Sequence, residues 1–404
     1  MSRIRSSDLA MIYDSRGRPT VEATIVLDSG TWARAGAPSG ASTGAHEVLA
    51  FPMGGVPEAI STFSGRVAPR LVGLDPADLS EVDRALVEAD GTPNFARIGG
   101  NSATAASVAS ALAHANDTNQ PLWRVLARPG IDRPQFPAVV GNCLNGGRHA
   151  IGGPDIQEFI AFAEGRRIED SIEAALHVHR WIGAKLHERF PKSALGRGDE
   201  GGWVAAIGNV DAIELLTEAC AAVRDELHVE VHPGLDFAAS EFFTNGRYHY
   251  RDQVLDGPGQ VAFAETLTER YGLRFVEDPF DQEAFGEFAE LTRRVGRKTL
   301  VVGDDLYVTQ EARVRRGLEK EATNAVLIKV NQVGTLTGTF ASVDYARSRG
   351  AALIASHRSG ETPDSWLAHV ALGIGARGIK TGVLGGERVA KLNELLRLAR
   401  PTGA

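Results

Sequence analysis

Six polar residues, each closing or following a short apolar run, are the chemistry-bearing positions of this sequence: Asp236, Glu277, Asp304, Lys329, His357 and Lys380. Three of them are acids, and a donor set of carboxylate oxygens without histidine or cysteine suits a hard divalent cation such as Mg²⁺. Two lysines flanking such a cation suit removal of a proton next to a carboxylate, because the negative charge that builds up meets positive groups already in place. An acid at a strand end also serves as a cap for the helix that follows it. Any one of these acids alone carries that plainer reading. Three on successive units, continued by lysine, histidine and lysine, argue against it.

Lys329 is the candidate general base. A free lysine titrates near about 10.4; a nearby cation, Lys380 and Arg358 would depress it, since like charge disfavours the ammonium form. Its plainer reading is a salt bridge to the metal-site acids. Lys380 would balance the charge of a substrate carboxylate. The run His357-Arg358-Ser359-Gly360-Glu361 places a guanidinium and a hydroxyl on one loop, a suitable phosphate clasp. Gly198-Asp199-Glu200-Gly201-Gly202 presents a carboxylate between glycines, and Asn145-Gly146-Gly147-Arg148-His149 leads on to Gln157-Glu158. Read alone, each of these two segments is a loop.

The elements that must position these groups follow from the apolar runs. Their polar ends are spaced roughly 25–40 residues apart, room for a strand, a helix and two loops of an eight-unit barrel. In such a barrel the C-terminal strand ends converge on one mouth. Upstream, residues 20–27 and 31–37 read as two strands joined at Asp28-Ser29-Gly30, followed by a small-residue loop over 39–44. Residues 102–116 read as a helix capped by Asn101 or Ser102. Residues 166–189 read as another, with Ile168, Ile172 and Leu176 on one face. Three prolines and a glycine between Arg128 and Pro137 are linker chemistry. The expected architecture is α/β: a smaller α+β N-terminal domain over 1–128 and an α/β barrel over 129–404, its sheet parallel because strand and helix alternate.

Composition bounds the partners. The chain has 404 residues, a net charge of −8 and 43% hydrophobic residues, an ordinary globular profile whose acidic balance argues against a nucleic-acid partner. The two cysteines, Cys143 and Cys220, read as unpaired apolar thiols. No signal peptide or membrane span is apparent, so a cytoplasmic location is expected. Lysine supplies only seven of the 43 basic residues, which makes two at strand ends more than chance placement. Gly373-Ile374-Gly375-Ala376-Arg377-Gly378 matches the dinucleotide fingerprint literally, but it follows a helical stretch and leads into a strand, the reverse of what that motif requires.

At these residues the chain resembles the enolases, and does so over most of its length. The matching strings are Asp14-Ser15-Arg16-Gly17, Pro38 to Gly44, Leu144-Asn145-Gly146-Gly147, Gln157-Glu158-Phe159, Gly198 to Gly202, Ser240 to Phe243, Glu277-Asp278-Pro279, Gly303 to Leu306, Lys329 to Gln332, Ser356 to Thr362 and Ile379 to Gly382. The resemblance implies Mg²⁺ on Asp236, Glu277 and Asp304, with a second Mg²⁺ joined by Ser42 when substrate binds. It implies that Lys329 takes the C2 proton and that Glu200, with Glu158 beside it, assists loss of the C3 hydroxyl. His149, His357, Arg358, Ser359 and Lys380 would contact the phosphate and carboxylate of a small phosphorylated substrate. A homodimer or a multiple of it is implied as well.

The departures lie in walls and loops: Val48 to Gly55, Trp203 to Ala206, Gly152-Gly153-Pro154, and the Val383-Leu384-Gly385-Gly386 that follows Gly382. They leave two activities open. One is conversion of 2-phosphoglycerate to phosphoenolpyruvate. The alternative is a specialised paralogue resembling the carboxyphosphonoenolpyruvate synthases, which use a nucleotide-activated phosphonoformate. A non-catalytic binding protein is disfavoured because all three acids and both lysines are present, and the absence of a Lys-x-Lys pair disfavours cycloisomerase-like relatives.

Overall fold

The computed structural model describes residues 2–40, 44–150, 152–192 and 195–400. The chain opens with a three-stranded antiparallel sheet in the order β1-β2-β3, formed by β1 (Ile4–Tyr13), β2 (Pro19–Leu27) and β3 (Trp32–Gly36). Strands β2 and β3 match the sequence reading. Strand β1 has little alternation to reveal it: only Ile4 and Leu9 are buried, as befits an edge strand with one face in water. Helix α1 (Leu79–Asp90) starts at Asp78, whose side chain accepts the Glu81 N–H. Helix α2 (Gly100–Asp117) is alanine-rich and buried along most of its length, lying across β2 and β3. Its N-cap is Gly99, not the expected Asn101 or Ser102. The Asn101 amide is used elsewhere, donating to the Pro38 carbonyl at 3.1 Å and to Ser39 Oγ at 3.2 Å, and so fixes the start of the small-residue loop.

No strand or long helix lies between Val125 and Ala138. Beyond it, eight strands close a barrel: β4 (Ala138–Asn145), β5 (Glu158–Glu164), β6 (Glu230–Asp236), β7 (Phe275–Glu277), β8 (Leu300–Gly303), β9 (Ala325–Ile328), β10 (Ala352–Ser356) and β11 (Gly378–Lys380). Each pairs with the next, and β11 returns to β4 with Gly378 opposite Ala138. The helices are α3 (Ile168–Arg189), α4 (Asn209–Leu227), α5 (Gly257–Tyr271), α6 (Phe285–Val295), α7 (Glu311–Glu319), α8 (Leu336–Ser348), α9 (Trp366–Gly373) and α10 (Gly386–Ala399). Two helices separate β5 from β6, and one separates each later pair.

The expectation of a fully parallel sheet fails at β5. It runs antiparallel to both β4 and β6, while the remaining neighbours are parallel. The reason is the connection: Gly146 to Gln157 holds one short 3₁₀ turn and no helix, and a parallel neighbour needs a crossover of a dozen residues or more, usually helical. Reversal puts the first residue of β5, Glu158, level with the last of β6, Asp236.

Strand side chains divide by parity, as a barrel demands. Val140, Ile160, Phe162, Phe275, Val302, Leu327 and Ile354 fill the barrel interior as one apolar cluster. Their neighbours Val139, Phe159, Ala161, Val301, Val326 and Leu353 join the larger core between barrel and helices. The N-terminal sheet and helices attach to this barrel partly through Asp83 of α1, whose carboxylate accepts the Thr337 N–H in the first turn of α8 at 2.8 Å.

Candidate active site

All six strand-end residues named from the sequence stand at the barrel mouth. Asp236, Glu277 and Lys380 are the last residues of β6, β7 and β11; Asp304, Lys329 and His357 directly follow β8, β9 and β10. Glu158 joins them because β5 is reversed. His149 arrives on the short turn between β4 and β5, and Glu200 on the loop between α3 and α4. Glycine makes that last placement possible: Gly201 has φ +80°, and a Cβ there would lie 2.3 Å from the Leu384 carbonyl oxygen. His149, Glu158, Glu200, Asp236, Asp304, Lys329, His357, Arg358, Ser359 and Lys380 line one cavity of about 30 Å³, with Gly40, Gln157 and Ser356 completing its wall. Ser42 lies outside the described residues.

Lys380 sits among acids. Its Nζ is 2.9 Å from Asp236 Oδ2, 2.7 Å from Glu277 Oε2 and 3.4 Å from Glu158 Oε2. Burial works against its charge, but Asp236, Glu158 and Glu277 outweigh it and hold the ammonium well above its ordinary range. The Lys329 ammonium donates to Asp304 Oδ2, the pairing that was the plainer reading for this residue. Burial, Arg358 and Lys380 lower its pKa as expected, yet Asp304 and Glu277 prevail and the net direction is upward. The expected depression of Lys329 is therefore not present in this arrangement.

Glu158 and Glu200 are driven apart. Burial and then Glu200 push the Glu158 carboxyl well above the usual range. Burial acts upward on Glu200 too, but His357 and His149 outweigh it and hold Glu200 well below. His357 Nε2 lies 3.1 Å from Glu200 Oε2, and His149 approaches Glu158 at 3.5 Å and Glu200 at 3.9 Å. The two carboxyls are displaced in opposite directions, the arrangement that separates acid from base in a single site.

The donor atoms fit a hard cation. Glu277 Oε1 and Glu158 Oε2 are buried oxygens without a hydrogen-bond partner, and oxygen-rich sites of this kind select Mg²⁺ over softer metals. Among the described residues two clusters each bring their ligand atoms within 4.8 Å, His149–Glu158–Glu200 and Asp278–Asp304–Asp305, and the expected trio of Asp236, Glu277 and Asp304 is not gathered so tightly. Asp278 is a poorer ligand candidate than Asp236 or Glu277, since its two oxygens accept the N–H groups of Asp304 and Asp305 at 3.0 and 2.6 Å. It is held at a left-handed φ of +39°, a strained corner that turns the backbone immediately after Glu277.

Several participants escaped sequence reasoning. Glu47 receives both arms of Arg358, at 2.9 and 3.0 Å. Its only sequence signal was its place just after the small-residue loop. Ser15 and Arg16 act on the same mouth. The Ser15 N–H donates to the Glu361 carbonyl at 2.8 Å, and Arg16 donates to the Gly40 carbonyl at 3.0 Å. The Asp-Ser-Arg-Gly string is thus a bracket between the N-terminal sheet and the loops over the mouth.

Comparison with known proteins agrees with this geometry. Residues 4–126 match the family model described as the enolase N-terminal domain, and residues 134–404 the one described as the enolase C-terminal TIM barrel domain. The enolase of Methanothermobacter thermautotrophicus is 45% identical over 393 residues, covering 96% of this chain and 94% of that protein. The enolase of Picrophilus torridus is 42% identical over 397 residues, 98% of both chains, and that of Natronomonas pharaonis is 44% identical over 400 residues, 98% and 99% of the two chains.

Proposed function

The chain belongs to the enolase family, lyases that convert 2-phosphoglycerate to phosphoenolpyruvate and water, and we propose that the residues at its barrel mouth divide that reaction among them. The observation that carries the assignment is the convergence of Asp236, Asp304, both lysines, His357 and the reversed-strand Glu158 on one cavity, with Glu277 held against Lys380 beside it. The alternative phosphonate-pathway paralogue gains no support, since the relatives named above are enolases.

Removal of the C2 proton is the task of Lys329 Nζ. It accepts a proton only as the free amine, and Arg358 and Lys380 are the groups in the site that disfavour its ammonium form. Loss of the C3 hydroxyl needs a proton delivered to it. Glu158 is displaced upward and Glu200 downward, so that step is assigned to the pair, with His357 and His149 fixing the Glu200 side. Arg358, Ser359 and His357 face the substrate phosphate with His149, and Lys380 balances the substrate carboxylate. Asp236, Glu277 and Asp304 would hold one Mg²⁺, with a second joined by Ser42 when substrate binds; bound there, it supplies positive charge for the enediolate that proton removal creates. The free edge of β1, with Met11 48% and Tyr13 62% exposed, supports a homodimer or higher homo-oligomer. No described helix is long and apolar enough to cross a membrane, and a cytoplasmic location accords with the family.

The test is direct: purified protein with Mg²⁺ and 2-phosphoglycerate should form phosphoenolpyruvate at roughly 1–10³ per second. C2 proton exchange without product formation would overturn 2-phosphoglycerate as the complete substrate.

A further inference from the structure

Arg388, in the first turn of α10, was invisible to sequence reasoning because nothing distinguishes it from a surface arginine on a charged helix. It is instead wholly buried. Its two terminal nitrogens carry four N–H bonds, and each has its own acceptor. Nη1 is 2.8 Å from His357 Nδ1 and 2.6 Å from the Arg358 carbonyl. Nη2 is 2.6 Å from the Ser359 carbonyl and 3.2 Å from the Asp199 carbonyl. One guanidinium thus ties the loop carrying Glu200 to the loop carrying His357, Arg358 and Ser359. A lysine could not do this, because the contact needs a planar fork with fixed donors.

A guanidinium only donates. His357 Nδ1 must therefore offer its lone pair to Arg388, and the single proton of the neutral ring belongs on Nε2. That nitrogen faces Glu200 Oε2 at 3.1 Å, so it donates and Glu200 accepts as a carboxylate. We propose that Arg388 is a positioning residue that fixes the Nε2–H tautomer of His357 and, through it, the orientation and ionisation of Glu200. Burial, Glu200, Arg388 and Glu361 all act on the ring, and the net effect holds it at about 4, consistent with a neutral donor at working pH. The link to turnover rests on the assignment of Glu158 and Glu200 to the elimination step; the link to the tautomer does not.

The experiment pairs ¹⁵N-histidine NMR with kinetics on the full chain, the His357 resonance being assigned by its loss in His357→Gln. In the wild type the ring should show a protonated Nε2 and an unprotonated Nδ1, unchanged between about pH 6 and pH 9. A proton on Nδ1, or titration of the ring in that range, would overturn the proposal whatever the activity. Arg388→Met should release the ring to titrate or change tautomer and slow elimination about ten- to a hundredfold, with C2 proton exchange by Lys329 reduced less. Arg388→Gln, which restores one donor toward Nδ1, should recover the tautomer. A folded Arg388→Met protein with the wild-type ring signature and wild-type elimination would refute the assignment. Wild-type protein that shows the expected tautomer yet forms no phosphoenolpyruvate would instead count against the proposed function.

Discussion

Glu47 and Arg358, 311 residues apart in the chain, meet in a two-pronged ion pair inside the barrel mouth. Glu47 follows the small-residue loop of the N-terminal part, and Arg358 follows the sixth parallel strand of the barrel, so the pair clasps the two halves across the site. Both side chains are buried, at 3% and 8% exposure. Burial opposes the charge of Arg358, but Glu47 outweighs it and holds the guanidinium above its ordinary value.

Removing one partner of such a pair costs more than the pair itself contributes. Glu47→Gln should therefore lower stability by about 3 kcal/mol and weaken binding of 2-phosphoglycerate, read from the denaturant midpoint and KM. An unchanged midpoint would mean that Arg358 finds its countercharge elsewhere.

Lys329→Ala should slow C2 proton exchange by about 10²–10⁴-fold and leave Mg²⁺ binding in place. Isotope exchange from deuterated water measures the first and titration calorimetry the second. Exchange that survives the substitution would remove Lys329 as the base.

The metal assignment is tested by Asp304→Ala, which should weaken Mg²⁺ binding about tenfold or more. Chelation should stop turnover, and Mg²⁺ returned to the wild type should restore it and raise the unfolding midpoint, as any ligand selective for the folded state does. Equal affinity in wild type and variant would remove Asp304 from the ligand set.

Asp83 gives a pH prediction away from the chemistry. Burial raises its carboxyl from 3.8 to about 6, against hydrogen bonds from Ser107 and Thr337. A folded pKa above the unfolded one contributes stability below pH 3.8 that is lost as pH rises through 6. Above that window the wild type gives up as much as about 3 kcal/mol. Asp83→Asn should melt higher than wild type at pH 8 and alongside it near pH 3.5. A variant less stable than wild type at pH 8 yet level with it near pH 3.5 would show that the charge at the start of α8 outweighs its desolvation.

Much of this molecule was legible because strand ends repeat. A polar residue after each short apolar run marked Asp236, Glu277, Asp304, Lys329, His357 and Lys380, and the fold brings them to one mouth. The reversal of β5 was not legible, because a strand's direction depends on its connection and not on its own pattern. Gly146 to Gln157 holds four glycines and a proline in twelve residues, poor material for a crossover helix. The edge strand β1 lacked alternation since only Ile4 and Leu9 turn inward. Glu47, Arg388 and the Lys391–Glu361 pair were hidden for another reason: a buried charge is recognised by its partner, and each partner lies far away in sequence. The expected depression of Lys329 fails because Asp304, its partner in the plainer salt-bridge reading, outweighs Arg358 and Lys380.

The closure of β11 against β4 also sets an order of events during synthesis. The first barrel strand leaves the ribosome long before its last neighbour exists, so β4 and β5 must wait with an open edge. The mouth acquires Lys380, whose ammonium lies within 3.4 Å of Asp236, Glu277 and Glu158 alike, only when β11 docks. Until that moment Asp236, Glu277 and Glu158 lack the ammonium that stands closest to all three. A nascent chain stalled before Gly378 is therefore a natural client for chaperones, and bringing Lys380 to the acids of the mouth and sealing the barrel are one and the same step.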